Sequence, residues 1–152
     1  MQFSVLTSGS KGNCTVFGLQ QKIIVDAGLS FKRLQQLAQE TQLDLENVAG
    51  IIISHEHSDH VKGAGVLARK FDIPLYISKP TFAACRQKLG KIPQAHFFEA
   101  GHPFAIGDFI IEPFTISHDA IDPVAFVVHG NEKKVAVVTD IGKATVLIQQ
   151  KM

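Results

Sequence analysis

The chain holds only two cysteines, Cys14 and Cys85, with no paired spacing between them. That argues against a disulfide and leaves two free thiols, as expected in a reducing cytosol. No apolar stretch approaches the ~20 residues that span a membrane. The opening run Met1–Leu6 breaks at Thr7-Ser8-Gly9-Ser10 without a basic n-region or a long apolar h-region, so no signal peptide is expected. Neither sign of charge dominates. The net charge of +1 argues neither for nor against an anionic partner, since a local basic groove can hide in a balanced total. There is no internal repeat, low-complexity segment or interdomain linker. The small-residue turn Thr7–Asn13 lacks the Gly-Lys-Ser/Thr of a phosphate loop. What remains is ordinary globular composition, 45% hydrophobic and 19% charged. A length of 152 residues suggests one domain over 1–152 with a sizeable core.

Six residues stand out from that background: His55-Glu56-His57-Ser58-Asp59-His60. Neutral imidazole and carboxylate are ligands for zinc, manganese or iron, not for copper(I) or an iron–sulfur cluster. The stretch follows the apolar, β-branched Ile51–Ser54, which reads as a buried strand. It precedes Val61–Lys70, which reads as a helix. The cluster therefore sits on a strand-to-helix turn, at the carboxyl end of a strand, where α/β proteins commonly place their sites.

The remaining elements frame that turn. Strands are expected at Gln2–Leu6, Cys14–Leu19, Lys22–Asp26, Leu75–Ile77, Ala95–Phe98, Pro103–Ile106, Phe109–Phe114, Val124–His129 and Val135–Thr139. Ser30 suits the N-cap of a helix Phe31–Gln39, with apolar residues at 31, 34, 37 and 38. Residues 41–48 read as a polar connector with a helical turn at 44–47. Pro80 suits the first position of a helix running to Leu89, which Gly90 ends. Gly107-Asp108 and Gly130-Asn131 are hairpin signals. Lys143–Met152 reads as a helix. Strands at both ends with helices between suggest sheet packed on sheet with helices outside.

In an extended turn, side chains at i and i+2 point the same way, so His55 and His57 can share one metal. Asp59 and His60 follow the bend into the helix and point to a second location. The segment thus suits two divalent metal ions better than one. Completing ligands must come from elsewhere. His118, just after strand 109–114, and Asp140, after strand 135–139, are candidates; a carboxylate can bridge two cations. Taken alone, His118 is an ordinary loop histidine and Asp140 a helix N-cap. Asp26 is either a turn former or a group that holds a ligand histidine from behind. His96, His102 and His129 lack such context and read as surface or structural. Glu56 and Ser58 alternate away from the ligand side, toward solvent or hydrogen bonds within the loop. Gly63 is expected to let the helix approach the sheet closely. Ser8, Ser10, Lys11 and Asn13 could meet a substrate backbone or be a solvated hairpin.

His-x-His-x-Asp-His after a strand, with His118 and Asp140 later, resembles the metallo-β-lactamase-fold superfamily. The resemblance implies an α+β fold, a four-layer αββα sandwich with a metal site at one edge of its two sheets. It implies His55, His57 and His118 on a first metal, Asp59 and His60 on a second, Asp140 bridging, and Asp26 supporting the site. His57 stands where the flavodiiron branch has glutamate, and Asp140 where many β-lactamases have cysteine; both favour the hydrolase and phosphodiesterase branches. Phe3–Leu6 with Ser8–Thr15, and Ser117–Ala120 with Asp122–Val124, look like the bacterial YycJ (WalJ) group, described as cytoplasmic 5′-to-3′ DNA exonucleases. That implies a DNA partner, no membrane, and two zinc or manganese ions, with iron also admitted. It implies a hydroxide bridging the metals as nucleophile, with Asp59 orienting it. The superfamily pattern has a further histidine downstream of Asp140, and this sequence ends twelve residues past it. The sandwich is therefore expected here mainly as its N-terminal part. Two alternatives stay open: hydrolysis of a small thioester, lactone or lipid phosphodiester on the same metals, and a non-catalytic metal-binding fragment.

Overall fold

The computed structural model describes residues 1–143 and 146–151, the side chain of residue 147 apart. Among the described residues ten strands form two sheets. In chain order they are β1 (Phe3–Thr7), β2 (Cys14–Phe17), β3 (Lys22–Val25), β4 (Val48–Ile52), β5 (Leu75–Ser78), β6 (Ala95–Phe98), β7 (Phe104–Ile106), β8 (Phe109–Thr115), β9 (Val124–Gly130) and β10 (Lys133–Val137). The helices are α1 (Phe31–Glu40), α2 (Ser58–Val61), α3 (Ala64–Phe71), α4 (Lys79–Leu89) and α5 (Val146–Lys151). The first sheet runs β1-β2-β3-β4-β5-β6 and the second β10-β9-β8-β7. In the first, β1 to β3 are antiparallel and β3 to β6 parallel; the second is an antiparallel meander.

Period-two alternation sorts each strand's side chains between two cores. Ile24, Ile51, Ile53, Leu75 and Ile77 face Leu34, Ala38, Leu67, Ala68 and Leu89 of the helices. Ile23, Val25 and Ile52 face the other way and meet Ile111, Val124, Phe126 and Val128 of the second sheet. On that sheet's far side, Phe114, Ile116, Ala125 and Val127 pack with Ile148 of α5. Helices, sheet, sheet and helix therefore stack in four layers.

This topology gathers one edge. The parallel strands β3, β4, β5 and β6 all end there, as does the β1–β2 turn. The β8–β9 loop and the segment after β10 leave the second sheet at the same edge, where Val124 N–H donates to Ser54 O at 3.2 Å.

Several expected bounds shift, for physical reasons. The helix expected at 61–70 is two pieces. Gly63 N–H is diverted to Ala27 O (2.8 Å), which breaks the helical ladder. A Cβ on Gly63 would lie 2.3 Å from Leu29 O, so the close approach is to the segment after β3 and not to the sheet as expected. Strand β4 begins at Val48, inside the expected connector, because Val48 and Gly50 pair with Lys22 and Ile23; residues 44–47 form turns, not helix. The second hairpin turns on Asn131-Glu132, both with positive φ, while Gly130 pairs with Lys133. Strand β10 ends at Val137, so Asp140 lies beyond it. Of the helix expected at 143–152, α5 covers Val146–Lys151, and residues 144, 145 and 152 lie outside the described residues. Asp140 therefore caps no described helix. Among the described residues no helix is long and apolar enough to cross a membrane.

Candidate metal centre

The ligand turn is laced to its neighbours by backbone hydrogen bonds. Asn13 N–H donates to Asp59 O (2.7 Å), Gly28 N–H to Asn13 O (2.9 Å), and Ala27 N–H to His60 O (2.8 Å). The lacing needs Gly28, where a Cβ would fall 1.6 Å from Asp59 O. His57 precedes the first turn of α2, and Asp59 and His60 lie within it.

Three imidazoles converge on one point. His57 Nδ1 is 3.1 Å from His55 Nε2 and 3.1 Å from His118 Nε2. Nitrogens crowded this closely repel unless a proton or cation lies between them. A tetrahedral zinc at 2.0–2.1 Å from each ligand sets nitrogen separations of about 3.3–3.4 Å. The two separations from His57 come close to that spacing, and donor nitrogens of His55, His57 and His118 all lie within 4.8 Å of one another.

His55, His60 and Asp140 form a second such group. Asp140 Oδ2 is 2.7 Å from His60 Nε2 and 3.9 Å from His55 Nε2, so its carboxylate reaches between the two groups. Asp59 Oδ2 stands 3.5 Å from His60 Nε2, beside this second group. Both aspartates that flank the buried histidines, Asp26 and Asp140, adopt left-handed φ of 60° and 53°, a strained geometry that aspartate tolerates better than most residues.

Behind the donors lies a buried relay. Asp26 accepts Ser54 N–H at 2.9 Å and Ser54 Oγ–H at 2.8 Å, and faces His60 Nδ1 at 2.7 Å. Having donated to Asp26, the Ser54 hydroxyl can only accept from His55 Nδ1, 3.0 Å away. Both rings are thereby held with Nδ1 protonated and Nε2 facing the site, as a metal-binding histidine requires. Burial and then the charges of His60, His57 and His118 push His55 down to about 4, against the pull of Asp26. Burial also opposes charge on His60, but the hydrogen bond and charge of Asp26, with Asp59 and Asp140, raise it above its ordinary value. A cation at the second location would replace the His60 Nε2 proton that otherwise bridges to Asp140.

The candidates along the sequence thus divide. His55, His57, His60, His118 and Asp140 are brought together; Asp59 is adjacent; Asp26 holds His60. Asn13 is turned inward, only 6% exposed, with Nδ2 at 3.0 Å from His60 Nε2 and 3.4 Å from Asp59 Oδ2. Ser8, Ser10 and Lys11 are exposed at the hairpin tip. His129 bonds Glu112 on the second sheet, while His96, stacked on Tyr76, and His102 are exposed. Cys14 and Cys85 are free and buried, and burial first of all pushes their thiols up to about 12 and about 11. Sequence reasoning missed Ser54. It directly precedes the ligand stretch, but strand alternation points it away from His55, so only its meeting with Asp26 reveals the relay.

Residues 21–152 match the beta-lactamase superfamily domain, and the chain belongs to that family. The layers and the edge site are those of the metallo-β-lactamase fold. The metallo-β-lactamase fold protein YhfI from Bacillus subtilis superposes with a TM-score of 0.69 at 17% identity, over 88% of this chain and 60% of its own. The chain is also similar to the exodeoxyribonuclease YycJ of Bacillus anthracis, 44% identical over 145 residues, 93% of this chain and 55% of the relative. It is 40% identical to the exodeoxyribonuclease WalJ of Streptococcus pneumoniae over 146 residues, 93% of this chain and 54% of the relative. The chain spans about half the length of these curated relatives.

Proposed function

We propose that this chain carries the metal centre of a metal-dependent phosphodiesterase that degrades DNA from its 5′ end. The observation that carries the reading is the convergence of His55 Nε2, His57 Nδ1 and His118 Nε2 at near-tetrahedral spacing, beside a second group of His60 and Asp140. The likeness to two exodeoxyribonucleases supplies the substrate. Because those relatives run to nearly twice this length, the proposal concerns the whole protein.

In this reading His55, His57 and His118 would hold one divalent cation, and His60, Asp59 and Asp140 would hold a second. Zinc or manganese suits the imidazole and carboxylate donors, and iron is admitted by the same set. Two such ions, when bound, supply Lewis acidity at a phosphoryl oxygen and lower the pKa of water toward neutrality. The chain's own residues do the rest. Asp26 and Ser54 keep the His60 and His55 rings in the ligating tautomer. Asp59, beside the second group, accepts a hydrogen bond from the attacking water and so orients it. Lys11, Ser8 and Ser10 at the exposed hairpin tip meet the substrate's backbone phosphates, which makes binding salt-sensitive. The two buried, separate thiols fit a cytoplasmic setting.

The test is a substrate panel with added Zn2+ or Mn2+: 5′-labelled single- and double-stranded DNA, RNA, and a chromogenic phosphodiester. Release of labelled mononucleotides from DNA is expected, and its loss in His57→Ala. Turnover of small esters or the chromogenic compound alone, with DNA left intact, overturns the nuclease reading.

A further inference from the structure

Glu56 lies between two histidines of the trio, yet its side chain leaves the ligand turn altogether. Its Oε1 accepts Ile121 N–H at 2.9 Å, across 65 residues of sequence. Its Oε2 is closed off from solvent and has no hydrogen-bond partner among the described residues. Its backbone oxygen accepts Lys88 Nζ from α4 at 3.2 Å. The sequence gives no sign of this, since alternation points Glu56 outward.

Loop 116–123, between β8 and β9, carries His118. Its neck is closed by Ile116 N–H to Pro123 O (3.1 Å), and Gly142 N–H to Ser117 O (2.7 Å) tethers its base. Its apex has little else. Ile121 is 63% exposed, so apolar burial does not anchor it. Among the described residues, the other side-chain hydrogen bond to the apex is Thr81 Oγ1 to Asp122 O, at a limiting 3.5 Å. A buried carboxylate oxygen left unbonded is destabilising, because the hydration it loses is not replaced. Folding alone is better served by a neutral side chain, so the carboxylate's value lies in what it fixes.

We propose that Glu56 is a positioning residue, a strut from the His55–His57 turn to the apex of loop 116–123 that sets His118 against its two partners. The inference rests on the metal-centre reading above and adds a residue to it. His55 and His57 come from the first sheet and His118 from the second. Without a strut, the 3.1 Å meeting of His118 with His57 depends on a loop tied at its neck and base and, at the apex, by the long Thr81–Asp122 bond.

The test titrates Co2+ into the full chain and its variants, following the d–d absorption, with circular dichroism as a check on folding. Glu56→Asp keeps the charge but is too short to reach Ile121; Glu56→Gln keeps the reach and an acceptor oxygen. Glu56→Asp and Glu56→Ala are expected to weaken the tighter Co2+ site about 10–100-fold and alter its absorption band, with Glu56→Gln staying within about threefold of wild type. Should Glu56→Ala fail to fold, the Asp and Gln pair decides. Equal affinity in Glu56→Asp and wild type overturns the strut, as does equal loss in Asp and Gln. A wild-type chain that takes up no Co2+ instead overturns the metal-centre reading itself.

Discussion

Asp26 Oδ2 and His60 Nδ1 meet at 2.7 Å with both side chains shut away from solvent. The same carboxylate takes both hydrogen-bond donors of Ser54, and so holds the His55 ring indirectly. One residue at the end of β3 therefore orients two candidate ligands on the turn after β4. Removing it strands a buried imidazole and a buried hydroxyl together. Asp26→Ala is expected to cost about 3–5 kcal/mol in urea unfolding. Its folded fraction should bind divalent metal about 10–100-fold more weakly. A stability within about 1 kcal/mol of wild type would show that the relay is not the buried pair described.

Metal should bind in two steps with separable ligands. Loading with Zn2+ or Mn2+ is expected to raise the melting temperature, by the equivalent of about 2.7 kcal/mol at a hundredfold excess over the dissociation constant. Chelation should reverse the rise. His57→Ala should remove the ion held by the trio, and Asp140→Ala should weaken both sites, since its carboxylate reaches between them. Metal content by mass spectrometry checks this; an unchanged metal count in both variants would refute the assignments.

Gly28 should tolerate no side chain. A Cβ there falls 1.6 Å from Asp59 O, a backbone atom of the ligand turn. Gly28→Ala must push that turn away from the 27–28 segment, at about 1–3 kcal/mol or more. The measurement is thermal unfolding with and without Zn2+; a melting temperature within about 2 °C of wild type would mean the turn yields freely.

Acid should loosen α5 before the core. Lys151 hydrogen-bonds Glu112, and this contact, helped by His129, holds the Glu112 carboxyl below its ordinary 4.5 despite partial burial. A depressed folded value means that the stabilisation is complete above the unfolded value and is lost as pH falls through the folded one. With a side chain 25% exposed, the pair contributes at most about 1 kcal/mol. Glu112→Gln is expected to remove that much at pH 6 and to flatten the decline below 4.5. Parallel pH curves for both proteins would contradict it.

Much of this was legible along the chain because it depends on near neighbours. The bend from extended turn to helix within His55-Glu56-His57-Ser58-Asp59-His60 places His57 in one candidate group and His60 in the other, with His55 in both, and a few residues settle it locally. Alternation in β3 and β4 sorts Ile23, Ile24, Ile51 and Ile52 between two cores for the same reason. The capping of α1 by Ser30 is likewise local, a side-chain oxygen meeting an N–H three residues on.

Tertiary structure decided what depends on partners far away in sequence. The break between α2 and α3 comes from Ala27 O capturing Gly63 N–H, which no helical periodicity reveals. The early start of β4 comes from its pairing with β3. Asn13, Ser54 and Glu56 are polar residues whose local context does not name their partners; each gains its role from a group 28 to 65 residues distant. A sequence displays which donors exist and how they are spaced. Which of their hydrogen bonds are made, and so which tautomer faces a cation, is set only when β3 and β4 pair and bring Asp26 to Ser54 and His60.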